Sequence, residues 1–187
     1  MRFPDIRGLF VVAVIGAATA CGTELITSAL PSDEEFAAAL AGTNTVPPVT
    51  TTATGALGVA LVLDTFLVFR VGVGGLDSTT IARIHQGAAG DTGIALVTLF
   101  LGVQCRNSQN QPINTTSPSC RAGYTGQLIE GQFKPSQLTG LPVGYGATPR
   151  ARFDSLLVLM RTGGVYLQVG TRRNPTGEIR GQVLSVP

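Results

Sequence analysis

Two consecutive runs that alternate large apolar side chains with small or polar ones commit this chain to an antiparallel sheet. In TGALGVALVLD, Leu57, Val59, Leu61 and Leu63 alternate with Gly58, Ala60, Val62 and Asp64. After Thr65 the alternation resumes, with Leu67, Phe69, Val71 and Val73 on one face and Phe66, Val68, Arg70 and Gly72 on the other. A period of two is the strand period, because successive side chains leave opposite faces of the pleat. The break at Asp64-Thr65 therefore predicts a hairpin, and Gly74-Gly75 ends its second strand. A short strand is predicted over Thr80 to His85. Residues 94–102, IALVTLFLG, are apolar on both faces and predict a central strand.

Near the end, VYLQVGT (165–171) and GEIRGQVLSV (177–186) read as strands joined by the turn Asn174-Pro175-Thr176-Gly177. One segment has helical spacing instead. In RFDSLLVLMRTGG, Phe153, Leu156, Leu157 and Met160 share a helix face, and Gly163 or Gly164 supplies the stop. A shorter turn is predicted at Lys134 to Leu138. Roughly seven to nine short strands with one short helix describe an all-β sandwich or barrel.

The N-terminus is of a different kind. Arg2 and Arg7 precede 13 uncharged residues, Gly8 to Ala20. A spanning helix needs about 20 apolar residues, so residues 1–20 read as a signal peptide. Ala18-Thr19-Ala20-Cys21 is a small-residue box before a cysteine, which is the form of a bacterial lipoprotein signal, although Ala18 stands where Leu is typical. Lipid on the Cys21 thiol, ordinary cleavage that leaves Cys21 incidental, and a retained anchor are the three readings. Lipidation is preferred because it leaves Cys105 and Cys120 as an even pair in an oxidising compartment. The alternatives are a bond from Cys21 to either of the others, which would tie a tail to the domain, and metal binding by the pair, with no nearby His or third Cys to complete a site. Residues 21–34 read as a tether and 35–187 as one domain. Within it, 104–126 is a polar excursion stapled by the cysteines. Asn114-Thr115-Thr116 is a glycosylation sequon that matters only in a eukaryotic host.

Charge and composition exclude several functions. A formal charge of +2, with its Arg residues scattered, argues against a nucleic-acid surface. One His and no Trp remove multi-imidazole sites and the strongest sugar-stacking residue. No Gly-x-Ser-x-Gly elbow surrounds a serine. QGAAGDTG (86–93) lacks the Lys-Ser/Thr ending of a phosphate loop and reads as a connecting turn. Asp64, Asp77, Asp91, Asp154 and Glu178 leave paired-carboxylate chemistry open, though nothing in their flanks suggests it.

Three segments, FAAALAGTNTVPPVTTTATG (36–55), GLDSTTIARIHQGAAGDTG (75–93) and YLQVGTRRNPTGEIRGQV (166–183), resemble the chordin-type (CHRD) domain. The resemblance covers about 35–183 and is most specific in Asn-Pro-x-Gly-Glu-Ile-Arg-Gly-Gln. It implies an immunoglobulin-like, superoxide-dismutase-like β-sandwich, and a binding or structural role without a defined reaction. Relatives often carry His-Ile-His where Arg83-Ile84-His85 stands, and His where Gly170 stands. With two of three imidazoles missing, no metal or other cofactor is expected, no residue is assigned a catalytic role, and superoxide dismutation is excluded.

Alternation puts Arg83 and His85 on one strand face, Tyr166, Gln168 and Gly170 on one face of another, and Glu178, Arg180 and Gln182 on one face of the last strand. Arg83, His85, Gln168, Glu178, Arg180 and Gln182 form the candidate polar surface patch, expected to be solvated, with an Arg83–Glu178 ion pair across strands. The chain therefore reads as an exported, lipid-anchored, non-enzymatic module at the cell envelope, facing an unidentified protein or polysaccharide. It would meet the membrane through lipid rather than through a spanning helix. A soluble secreted form, a carboxylate enzyme and a carbohydrate- or matrix-binding domain are the alternatives.

Overall fold

The computed structural model describes residues 32–187 apart from 113–115 and 139–141. The stretch read as a signal peptide, Cys21, most of the stretch read as a tether, and Asn114 lie outside the described residues.

Nine antiparallel strands form one sheet: β1 (Ser32–Ala41), β2 (Thr54–Val62), β3 (Phe66–Leu76), β4 (Thr79–Gln86), β5 (Ala95–Leu101), β6 (Tyr124–Phe133), β7 (Val165–Thr171), β8 (Ile179–Gln182) and β9 (Leu184–Ser185). Their order is β5-β4-β7-β8-β1-β2-β3-β6, with β9 also against β1. The two outermost strands, β5 and β6, approach one another, so the sheet is nearly closed around its core. This is a barrel-like variant of the expected sandwich.

The hairpin forms as predicted, in the register Leu57↔Val71, Val59↔Phe69 and Leu61↔Leu67. Those six side chains are buried. Leu63 and Asp64 both take positive φ, and the Thr65 N–H donates to the Val62 carbonyl at 3.0 Å, the primed-turn geometry that matches strand twist. Leu63 therefore sits exposed in the turn instead of extending the buried row. β1 begins at Ser32, inside the stretch read as tether, and buries Phe36, Ala38 and Leu40.

β5 corrects an expectation, since it is an edge strand and not a central one. Its register against β4 shifts twice, leaving Leu96 and Leu99 as the extra residues, and these two bulged leucines are the buried ones. The bulges convert a continuous apolar run into a strand whose Ala95, Thr98 and Leu101 face solvent. β6 has no counterpart among the runs read as strands. It starts at Tyr124, within the polar excursion, and closes the far edge through Ile129↔Val71 and Phe133↔Leu67.

Helix α1 (Pro149–Arg161) starts with Thr148 accepting from the Ala151 N–H at 3.2 Å and Pro149 in the first turn. It buries Phe153, Leu156, Leu157 and Met160 beside β9 and the 3₁₀ turns Pro135–Gln137 and Val143–Tyr145.

Cys105 and Cys120 are bonded across 15 residues, with Cα atoms 5.2 Å apart. Changing both to serine is expected to cost about 3 kcal/mol, the chain-entropy value of such a loop. Urea unfolding of the oxidised chain and the double variant measures it. Equal midpoints would show that non-covalent ties, such as the Val103 N–H on Ser119 Oγ at 3.1 Å, already close the loop.

Candidate functional site

The outer face of β4, β7 and β8 carries the candidate residues in two cross-strand rows. Arg83, Gln168 and Arg180 stand opposite one another in the first row, and His85, Tyr166 and Gln182 in the second. Their inward neighbours Ala82, Ile84, Leu167, Val169 and Ile179 are buried in the core. Alternation thus assigned this face correctly.

The face is not solvated throughout, because two loops fold back over its β8 side. Arg180 is only 2% exposed and Glu178 only 7%. The 87–93 loop, closed at its base by Gln86 N–H to Ile94 O at 2.9 Å, brings two carbonyls onto the Arg180 guanidinium. Asp91 O accepts from Nη1 at 2.6 Å and Ala88 O from Nη2 at 2.8 Å. The Gly-rich QGAAGDTG segment therefore offers carbonyl oxygens to a cation, the opposite polarity from a phosphate loop, whose N–H groups face an anion. Gly93 is required there, since an added Cβ would lie 2.7 Å from the Gln86 carbonyl carbon.

Tyr166, on the middle strand of the three, takes a cation and an imidazole. The Arg180 guanidinium carbon lies 3.4 Å from its ring centroid, and His85 stacks on it at 5.1 Å with 12° between planes. The Tyr166 hydroxyl accepts from the Gly93 N–H at 3.2 Å, and His85 Nδ1 lies 3.1 Å from the Gly93 carbonyl. A carbonyl accepts only, so Nδ1 carries the proton and Nε2 is the open acceptor of the neutral ring. Burial, and to a smaller degree the charges of Arg83 and Arg180, hold the His85 pKa below its usual value against the raising effect of the Gly93 hydrogen bond. Gln182 Nε2 lies among the Gly87, Gly163 and Val165 carbonyls at 2.6–2.9 Å.

Glu178 and Arg83 do not form the expected pair. The buried Glu178 carboxylate accepts from Thr171 Oγ1 at 2.5 Å, Thr51 Oγ1 at 2.9 Å and Asn174 Nδ2 at 3.1 Å. Arg83 Nε instead donates to Thr98 Oγ1 at 3.3 Å. Hydroxyls from the 42–53 segment and the end of β7, with an amide from the β7–β8 turn, satisfy the acid without a cation. Thr51 and Thr171 are the functional neighbours missed in the sequence, while Tyr166 stands on the face that alternation assigned to it with Gln168 and Gly170, although outside the six-residue patch. Nothing local in the sequence marks Thr51, which arrives through the fold.

On the β4 side the face opens into a cleft of about 300 Å³, lined by Ile81, Arg83, His85, Gln168, Gly170 and the 175–177 turn. Three of the six candidates thus meet at one cleft, while Glu178, Arg180 and Gln182 tie loops to the sheet. Elsewhere, Asp64 and Asp154 share Arg150 at 2.9 and 2.8 Å, and Asp77 accepts from the Gly123 N–H. Among the described residues no three His, Cys, Asp or Glu side chains gather as a metal-holding group, and no helix is long and apolar enough to cross a membrane.

Neither a curated protein nor a solved structure matches the chain. The family model of the CHRD domain matches residues 36–183. That span holds β2 through β8, most of β1 and every member of the outer face, from the ties on Glu178 and Arg180 to the cleft. The chain is therefore a member of the CHRD domain family.

Proposed function

We propose that this CHRD-domain protein is exported, carries lipid on Cys21, and acts at the cell envelope as a binding module without a reaction of its own. The observation that carries the reading is the Cys105–Cys120 bond, since disulfides persist in oxidising compartments and are rare in the cytosol. The basic start, the 13-residue uncharged core and the small-residue box ending at Cys21 supply the matching address. The binding role draws support from the use of the polar residues. Three of them hold loops onto the sheet, and the rest surround an open cleft.

Intact mass of the mature protein from its native host, before and after reduction, tests this. The expected result is a chain that begins at Cys21, carries added lipid mass and gains about two hydrogens on reduction. A lipid-free mature chain would overturn the anchor and make the protein a soluble secreted one. A full-length unprocessed chain would overturn export.

A further inference from the structure

We propose that the cleft beside β4 and β7 binds a small hydroxylated carboxylate of the uronate class, with Arg83 holding the carboxylate and His85 and Gln168 accepting from neighbouring hydroxyls. This rests on the binding-module reading and supplies its ligand.

Arg83 is half-buried in the cleft wall, and its Nε is committed to Thr98 Oγ1. Its two terminal amino groups have no hydrogen-bond partner among the described residues, and no acid lies within salt-bridge distance of it. A guanidinium fixed at Nε presents its end as a flat two-pronged donor, the geometry that matches a carboxylate. No carboxylate lines the cleft, so the wall has positive charge without compensation.

The remaining polar groups are acceptors. His85 donates its Nδ1 proton to the Gly93 carbonyl, leaving Nε2 as a lone pair, and burial disfavours the charged ring. Gln168 commits its amide nitrogen to the Thr176 carbonyl, leaving Oε1. One fork of donors and two separate acceptors fit a monoanion bearing hydroxyls better than a bare oxyanion. The charge argues the same way. Arg180, in the same cross-strand row, is capped by two carbonyls and packed on Tyr166, so Arg83 is the one cation among the residues lining the cleft and a dianion would be half compensated. A volume of about 300 Å³ is at the small end of ligand sites and suits one sugar unit rather than a chain segment.

The chain has one histidine, so the imidazole resonance of the complete labelled protein is an unambiguous reporter of the cleft. The probes are galacturonate, its methyl ester, glucose and inorganic sulfate. A saturable shift of His85 is expected with galacturonate. The methyl ester, and galacturonate on the Arg83→Gln variant, should each bind roughly tenfold more weakly or worse, the scale of one lost charged hydrogen-bonding pair. The ester comparison uses the unaltered chain and does not depend on how the variant folds. Equal binding of acid and ester, tighter binding of sulfate, or no saturable shift with galacturonate overturns the assignment. Because the mass measurement reports lipid and export irrespective of ligand, a failed titration with lipidated Cys21 removes the uronate and leaves the envelope module. The converse pair of results removes the anchor and keeps the cleft.

Discussion

Arg180→Ala is expected to lower the unfolding free energy by about 3–5 kcal/mol, the sum of two charged hydrogen bonds and the void left by a large side chain. Arg180 is 2% exposed, and its guanidinium is the group that joins the 87–93 loop to the sheet through Ala88 O and Asp91 O. Removing it leaves both carbonyls over an apolar gap above the Tyr166 ring. Burial lowers the Arg180 pKa while Tyr166 and Asp91 raise it, yet an arginine stays charged throughout the accessible pH range. The carbonyls therefore face a permanent cation in the native protein. Arg180→Lys should recover only part of the loss, because a point charge cannot serve two carbonyls and a ring face as a planar fork does. Thermal unfolding should fall by roughly 10 °C for alanine in a domain of this size. Hydrogen exchange at the Gly93 amide should quicken in the same variant, since the loop loses its anchor. A midpoint within 2 °C of the parent would mean the guanidinium is satisfied by water and that the loop stands by itself.

That buried arginine marks the limit of what alternation reveals. Period-two patterning identified the β2–β3 hairpin, the β7 and β8 segments and the inward set Ala82, Ile84, Leu167, Val169 and Ile179, because burial of one face is written into each strand separately. The same pattern placed Arg83, His85, Gln168, Arg180 and Gln182 together on the outer face. It could not say what lies above that face. Whether Arg180 meets water or carbonyls depends on a loop that folds back from 92 and 89 residues earlier in the chain. Glu178 reads as half of an ion pair for a similar reason, since one of its three donors, Thr51, lies 127 residues away.

β5 fails on different grounds. A run apolar on both faces suits a central strand, but two bulges rotate Leu96 and Leu99 to one side and let the strand serve as an edge. Interruptions by Gly126 and Gly131 hide β6, whose stability comes from β3 rather than from its own composition. The family motif Asn-Pro-x-Gly-Glu-Ile-Arg-Gly-Gln was legible as a resemblance long before its purpose was. Glu178, Arg180 and Gln182 in it are loop ties, and Ile179 is core.

The second glycine of that motif has a different purpose, and Gly181→Ala should be the most damaging single methyl in the sheet. Gly181 lies where β8 crosses from β7 to β1, beside the Ala41↔Arg180 pair that joins the two halves of the strand order. A Cβ there would stand 2.8 Å from the Ala39 carbonyl carbon and 3.2 Å from the Leu40 nitrogen, and closer still to the Ala39 oxygen. These are backbone atoms, which cannot rotate away as a side-chain tip can. Nor can β1 move as a unit, because its other edge is paired with β2 from Glu34 to Ala41. The methyl must therefore open the seam or distort it, and a loss of at least about 3 kcal/mol is expected, the upper end for overpacking. Gly72→Ala is the matched control: it sits in β3 of the same sheet with nothing within 4 Å of an added Cβ. Alanine there should be neutral or stabilising by up to about 1 kcal/mol, since glycine in a strand gives up more chain entropy on folding. Urea midpoints of the two variants measured side by side separate steric contact from the general effect of removing a glycine. Comparable midpoints would mean that the β1–β8 seam yields to a methyl group. The sheet would then have to be regarded as two halves in loose register, with the Arg180 loop tie and β9 holding them together.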